Sequence, residues 1–134
     1  MKKNTCELTA KEINFAVAYI DNVEVDIDGS IFDEYMYQSG VWNPCFDWSQ
    51  GGRIIERERI HLEPFGSSKY PEKSWLAVAY NRHVNDLEAS ALGKTALIAA
   101  MRCYVASKLG SEVDMQEIFR DLQIEVEVQD KSNT

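Results

Sequence analysis

Hydrophobic residues recur at helical spacing in four segments of the chain. The first segment follows a capping box formed by Thr9 and Glu12, which predicts a helix over residues 10–20. The longest follows a second threonine cap, Thr95, and predicts a helix over residues 96–109. A short helix or turn is predicted over residues 53–58, and a last helix over residues 115–122.

Strict alternation of apolar and polar residues predicts strands elsewhere. Residues 23–27 alternate apolar with acidic residues and lead into the hairpin signal Asp28-Gly29, so a second strand over residues 30–35 is expected to pair back. In residues 75–80, the side chains on both faces of the predicted strand are apolar, which predicts a central strand covered on both faces. Further strands are predicted over residues 60–64 and 124–129, an ordered loop over 36–48 and a polar connection over 81–92.

The order of these elements, α-ββ-α-ββ-α-α, predicts the α+β class. Hairpins favour antiparallel pairing, and a doubly covered strand needs helices on both faces of its sheet. We therefore expect an antiparallel sheet of about four strands in an α/β/α sandwich. A chain of 134 residues has the size of one domain, which we assign to residues 1–129, with a frayed tail over 130–134.

Composition is typical of a soluble globular protein, with 45% hydrophobic and 27% charged residues. The N-terminus leads into a capped helix rather than a signal peptide, and the apolar run over residues 96–101 is too short for a membrane span. We therefore expect no membrane partner. Cys6, Cys45 and Cys103 are odd in number and far apart, which predicts free thiols in a reducing cytoplasm. Because cysteine and histidine do not cluster, we expect no metal or cofactor.

The net charge of −8 is unevenly distributed. Residues 4–50 carry nine acids and one base, whereas residues 51–110 carry nine bases and six acids. The acidic total disfavours binding to the phosphate backbone of a nucleic acid. The mildly basic middle of the chain is compatible with a small anionic ligand.

The start of the longest predicted helix is the first candidate anion site. Gly93-Lys94-Thr95 is similar to the end of a P-loop, but the full pattern needs glycine at the position of Glu88, and no strand is predicted directly before it. We therefore exclude a nucleotide-hydrolysing P-loop. A helix N-terminus with a lysine and a hydroxyl still suits an anion. The alternative is a threonine cap beside a solvated lysine.

A second candidate lies around a glycine pair in a segment rich in aromatic rings. Gly51 and Gly52 allow close approach of the backbone, and they precede two arginines one helical turn apart. Nearby tryptophans suit stacking on a flat ligand, although the same rings could anchor an irregular loop or fill the core. The candidate ligand-binding residues in this region are Trp42, Trp48, Gln50, Gly51, Gly52, Arg53 and Arg57.

Arg102 is the third candidate, inside the longest predicted helix. Ala99 and Ala106 are its small neighbours, so its guanidinium can reach sideways into a cleft and bind two phosphate oxygens. The alternative is an arginine that faces solvent and pairs with an acid. Together with Lys94 and Thr95, Arg102 completes the predicted ligand-binding set.

Catalytic groups are scarce in this sequence. The two histidines, His61 and His83, fall in a strand and in a polar loop, and no Ser/His/Asp or Cys/His arrangement is evident. The acids at 24, 26 and 28 fit a solvated strand face. We therefore predict that the protein is not an enzyme.

Two stretches of the chain resemble the signature stretches of the phage NinX-like family. They are Asp47-Trp48-Ser49-Gln50-Gly51-Gly52-Arg53-Ile54-Ile55-Glu56-Arg57-Glu58 and the segment 97–110, LIAAMRCYVASKLG. The resemblance covers most of residues 5–122. Prolines common in the family are replaced here by Arg53, Lys94 and Ala96, which adds positive charge at two helix starts. The resemblance implies a phage or prophage accessory protein in the bacterial cytoplasm, and no particular biochemical activity.

Three functions remain open from the sequence. The first is a binding protein that sequesters a small anionic nucleotide-type signal of host defence, using aromatic stacking and arginines. The alternative is a protein–protein module that inhibits or redirects a host protein through the acidic strand face and the acidic C-terminal segment. The third is a nucleotide hydrolase that uses His61, Glu56 or Asp47. A homo-oligomer is compatible with each of them.

Overall fold

The computed structural model describes residues 2–23, 42–66, 69–80 and 87–122. Four helices and two antiparallel sheets confirm the α+β class. The helices are α1 (Ala10–Asp21), α2 (Trp48–Glu58), α3 (Ala96–Leu109) and α4 (Met115–Asp121). The strands are β1 (Lys2–Asn4), β2 (His61–Pro64), β3 (Trp75–Tyr80), β4 (Leu87–Gly93) and β5 (Glu112–Asp114).

The strands of the described residues form two antiparallel sheets, of three and two strands. The larger has the order β2-β3-β4, with β3 in the centre, and pairs His61 with Val78 and Trp75 with Gly93. The smaller pairs β1 with β5, and so joins the start of the described chain to a segment more than 100 residues later. The strands predicted over 23–27, 30–35 and 124–129 and the tail over 130–134 lie outside the described residues, except for Val23.

Local signals placed α1 and α3 correctly. Thr9 Oγ1 accepts a hydrogen bond from the Glu12 backbone N–H at 3.2 Å, and Glu12 Oε1 accepts one from the Thr9 N–H at 2.9 Å. These two bonds form the predicted capping box. The bounds of α3 and β3 are those predicted from the sequence, and Gly110 follows α3 with a φ of 94°, which favours glycine.

The start of α2 differs from the prediction. The helix begins at Trp48 instead of Arg53, because the Asp47 carboxylate caps it by accepting a hydrogen bond from the Ser49 N–H at 2.9 Å. The glycine pair therefore lies inside a helix and does not interrupt the chain.

The prediction of a polar connection over residues 81–92 is wrong for its second half. Residues 87–93 form β4, in which Ala89 and Ala91 are half-buried whereas Glu88 and Ser90 are exposed. The alternation is present, but its inward positions hold alanine, whose small side chain gives a weak hydrophobic signal. Residues 81–86 lie outside the described chain.

Helix α3 lies at the centre of the packing. It contacts the three-stranded sheet, α1 and α2, and eight of its fourteen residues are buried, as expected of a helix covered by several elements. Helix α4 packs on α1, where the rings of Phe15 and Phe119 meet edge to face with centroids 5.1 Å apart. This packing positions the ends of α1 and α2 beside each other, where the first cavity lies.

Candidate functional site

A cavity of about 440 Å³ lies between the C-terminal end of α1 and the first turns of α2. Four of the ten predicted ligand-binding residues line it: Trp42, Gln50, Arg53 and Arg57. Its other polar lining comes from Asp21 and Ser49. The cavity thus combines an indole ring, an amide, a hydroxyl and two guanidinium groups with one carboxylate.

Two asparagines hold the Trp42 side of this cavity against α1. Asn14 Nδ2 donates to Asn43 Oδ1 at 2.7 Å, and the Trp42 indole N–H donates to the Asn14 carbonyl at 2.9 Å. The Asn43 N–H in turn donates to Gln50 Oε1 at 2.5 Å. Both asparagines are fully buried. Neither asparagine is among the residues predicted from the sequence, although an asparagine inside the apolar run of α1 is a signal of a buried polar contact.

The two arginines of the cavity differ in how firmly they are held. Arg57 Nε donates to Glu58 at 2.8 Å, and Arg57 Nη2 donates to the Tyr104 hydroxyl at 2.8 Å and to Asp21 at 3.3 Å. The hydrogen bond to Glu58 raises the pKa of Arg57. Arg53 is exposed and forms no ion pair with any residue in the described part of the chain. Arg53 is therefore the cation available to a ligand.

A polar network behind Arg57 joins the first three helices. The Tyr104 hydroxyl on α3 donates to Asp21 Oδ1 on α1 at 2.5 Å. Burial raises the pKa of Tyr104, and the hydrogen bond to the charged Asp21 raises it further. Burial alone would raise the pKa of Glu58, but the hydrogen bond from Arg57 and the charge of Lys108 lower it below its usual value. The network holds Arg57 in one place beside the cavity.

Trp48 is 58% exposed at the start of α2 and therefore does not fill the core. It is not among the described residues that line the cavity. Its ring lies beside Gly52, since a Cβ added at Gly52 would be 3.7 Å from Trp48 Cε3. Gly51, by contrast, is buried, and a Cβ there would lie 2.4 Å from the Pro44 carbonyl oxygen. The close approach at Gly51 serves packing within the protein.

The candidates at the start of α3 lie apart from the first cavity. Thr95 Oγ1 accepts a hydrogen bond from the Ile98 N–H at 3.1 Å and caps the helix, and Lys94 is exposed. The strand β4 leads directly into this turn, so the expectation that no strand precedes it is wrong. Glu88 still excludes a P-loop, because it occupies the position of the required glycine and belongs to β4.

Arg102 lines a different cavity, of about 190 Å³. Its Nη1 donates to the Leu92 carbonyl at 2.6 Å, and its Nη2 donates to the Leu8 carbonyl at 2.8 Å. The two cavities share no lining residue. The glycine-arginine stretch of α2 and the Arg102 stretch of α3 therefore do not converge on one pocket.

The residues considered for hydrolysis lie in separate surroundings. His61 is exposed on β2, with its Nε2 3.3 Å from Glu63 Oε1, whereas Asp47 caps α2 and Glu56 is exposed on the same helix. His83 and the acids at 24, 26 and 28 lie outside the described residues. Within the described ranges, no three His, Cys, Asp or Glu side chains are grouped as a metal site would require, and none of the helices is long and apolar enough to cross a membrane.

Comparison with known proteins identifies the family. A family model described as "Bacteriophage P22, NinX" matches residues 4–108, which include all ten predicted ligand-binding residues. No curated protein matches the chain.

Proposed function

The chain belongs to the bacteriophage P22 NinX family and is a phage accessory protein, and we propose that the cavity between α1 and α2 binds a small anionic ligand of the nucleotide type. In this proposal the protein acts by binding and sequestering such a ligand in the bacterial cytoplasm, and not as an enzyme. A nucleotide signal of host defence is the ligand class that suits this role.

The observation that carries the proposal is that Arg53 and the indole-bearing Trp42 line one cavity. Arg53 forms no ion pair with a described carboxylate. A guanidinium binds phosphate oxygens in pairs, and an indole ring offers a flat face to a base. The volume of about 440 Å³ falls within the usual range for small-molecule sites.

The charges around the cavity support a ligand with little negative charge. Arg53 and Arg57 provide two positive charges, whereas Asp21 provides one negative charge that is directed to Arg57 and Tyr104. The described lining therefore keeps one positive charge, which matches a ligand with a single phosphodiester. A triphosphate would meet repulsion from Asp21.

A thermal-shift panel of cyclic mono- and dinucleotides, ADP-ribose derivatives, NAD and nucleoside triphosphates tests the proposal. A ligand present at one hundred times its Kd adds about 2.7 kcal/mol to the free energy of unfolding. We expect this to raise the Tm by roughly 5–15 °C in a protein of this size. Isothermal titration then measures the Kd of each ligand that shifts the Tm.

Arg53→Gln is the decisive variant, because it removes the charge without touching the described hydrogen-bond network. We expect it to weaken binding at least tenfold, since hydrogen bonds to charged groups contribute about 1.5–3 kcal/mol. Arg120→Gln makes the same change in net charge at an exposed position of α4 and should bind as the wild type does. Equal losses in both variants, or a flat response across the panel, would contradict the proposal.

A host protein as partner is the second candidate, and the exposure of Trp48 favours it. Tryptophan is enriched at the energetic centre of interfaces, and this ring is 58% exposed at the start of α2. The test is capture of one host protein from a lysate by the wild type but not by Trp48→Ala, in a folded variant. Added salt should weaken the capture if acidic surfaces contribute.

A further inference from the structure

The cavity beside Arg102 is lined by small residues from distant parts of the chain. Asn4, Thr5 and Cys6 come from the N-terminal segment, Ser90 and Ala91 from β4, and Ala106 and Ser111 from α3 and the turn after it. The pairing of β1 with β5 and the hydrogen bond from the Thr5 N–H to the Ser111 carbonyl fix this wall. The cavity therefore belongs to the folded framework.

Arg102 brings a positive charge to this cavity, and no carboxylate in the described part of the chain pairs with it. Its hydrogen bonds to described residues go to neutral carbonyl groups, and none of the described residues that line the cavity is acidic. Its Nε is buried and has no hydrogen-bond partner among the described residues. Burial accordingly lowers the pKa of Arg102. A guanidinium in this position is stabilised by any anion that enters the cavity.

The neutral polar groups around Arg102 complete the features of an anion site. Ser90 and Ser111 each bring a hydroxyl, and Asn4 brings an amide, all of which donate hydrogen bonds to oxygen. A volume of about 190 Å³ holds a small group and excludes a whole nucleotide.

We propose that the cavity lined by Arg102, Ser90 and Ser111 is a binding site for a small oxyanion, namely a free phosphate or the carboxylate of a small molecule. The site is separate from the cavity between α1 and α2 and does not depend on the function proposed for that cavity. Arg102 supplies the charge and the hydroxyls supply hydrogen bonds. Cys6 lies at the opening, since it is exposed and lines the same cavity.

Cys6 provides a reporter for an anion at this site. Cys45 and Cys103 are buried, and burial raises the pKa of Cys103 to about 12, so neither competes for a thiol reagent in the folded protein. Iodoacetate carries a carboxylate, whereas iodoacetamide is neutral and nearly the same size. A site that binds an oxyanion beside Cys6 therefore accelerates iodoacetate relative to iodoacetamide.

The experiment measures the rates of both reagents at Cys6 by mass spectrometry in the full-length protein at constant ionic strength. The ratio of the iodoacetate rate to the iodoacetamide rate is compared with that of N-acetylcysteine amide. We expect the ratio at Cys6 to be at least threefold higher. Inorganic phosphate and acetate, tested in separate arms against chloride, should slow iodoacetate, and the stronger competitor identifies the preferred oxyanion.

Two kinds of variant keep this test decisive. Arg102→Gln removes the charge but also affects the hydrogen bonds to Leu8 and Leu92, so it is accompanied by Ala106→Leu, which fills the cavity and retains Arg102. Both variants should return the ratio to that of the free thiol, with folding checked by circular dichroism, while Arg53→Gln should leave it unchanged. A ratio in the wild type equal to that of the free thiol, or one unaffected by Ala106→Leu, would show that Arg102 only braces the backbone.

Discussion

At the scale of single residues, the two adjacent glycines of α2 have different surroundings. A Cβ at Gly51 would lie 2.4 Å from the Pro44 carbonyl oxygen and 2.5 Å from Leu97 Cδ2, distances that real Cβ atoms do not show. A Cβ at Gly52 would make an ordinary contact with the Trp48 ring at 3.7 Å. The sequence predicted one role for the pair, whereas the structure assigns close packing to Gly51 alone.

This difference predicts opposite effects of two alanine substitutions. Gly52→Ala should stabilise the protein by about 0.5–1 kcal/mol, because alanine favours a helix over glycine by that amount. Gly51→Ala gains the same propensity but forces Pro44 and Leu97 apart, and overpacking of this kind costs about 1–3 kcal/mol. Chemical denaturation of both variants measures the free energies of unfolding. Equal effects at the two positions would contradict the described packing.

At the scale of elements, a network of polar side chains connects α1, α2 and α3. The Tyr104 hydroxyl donates to Asp21 and accepts from Arg57, and Lys108 Nζ lies 3.4 Å from Glu58 Oε1. Tyr104 is only 2% exposed, so its hydroxyl depends on these partners for hydrogen bonding. The network ties the three helices that border or support the first cavity.

The raised pKa of Tyr104 predicts a loss of stability at alkaline pH. The folded protein keeps the hydroxyl protonated where the unfolded chain, with an ordinary tyrosine pKa of 10.0, already loses the proton. The contribution of Tyr104 is therefore fully present below pH 10 and declines above it, by up to about 1.4 kcal/mol per pH unit. Tyr104→Phe should be less stable by about 1 kcal/mol at pH 8 and should decline less steeply above pH 10.

Denaturant unfolding of the wild type and Tyr104→Phe between pH 8 and pH 11.5 checks this prediction. The difference in the free energy of unfolding between the two proteins should shrink as the pH rises above 10. Tyr70→Phe is the matched control, because it removes a hydroxyl from a ring that is 48% exposed and lies outside this network. Parallel pH curves for the wild type and Tyr104→Phe would contradict the raised pKa of Tyr104.

At the scale of the whole molecule, the N-terminal segment is joined to the turn after α3. β1 pairs with β5, the Thr5 N–H donates to the Ser111 carbonyl, and the Thr5 hydroxyl donates to the Gly110 carbonyl at 2.8 Å. Thr5 is 3% exposed. The hydrogen bond between Thr5 and Gly110 joins residues 105 positions apart, and Thr5 forms part of one wall of the Arg102 cavity.

Removal of the Thr5 hydroxyl should therefore lower global stability. Thr5→Val keeps the shape of the side chain but removes the hydrogen bond to the Gly110 carbonyl, and the net loss of such a bond costs about 0.5–1.5 kcal/mol. Thr5→Ser retains the hydroxyl and should lose clearly less. The midpoint of thermal unfolding compares the two variants, and a loss in Thr5→Ser larger than the loss in Thr5→Val would assign the effect of Thr5 to packing of its methyl group.

The sequence by itself determined the elements whose signals are local. The capping box at Thr9, the cap at Thr95 and the period of residues 75–80 act within a few residues, so the bounds of α1, α3 and β3 were predicted closely. The α+β class followed from these elements. The residue types of an anion site, arginine beside tryptophan, were also visible in the sequence.

Only the tertiary structure decided which of these residues meet. Arg102 donates to a carbonyl 94 positions away, and its cavity excludes the Arg53 and Trp42 side chains that the sequence grouped with it. Gly51 packs closely against the distant Leu97, and Asn14 forms a buried hydrogen bond with Asn43, 29 positions away. These outcomes depend on packing between remote segments, for which local periodicity and capping carry no signal.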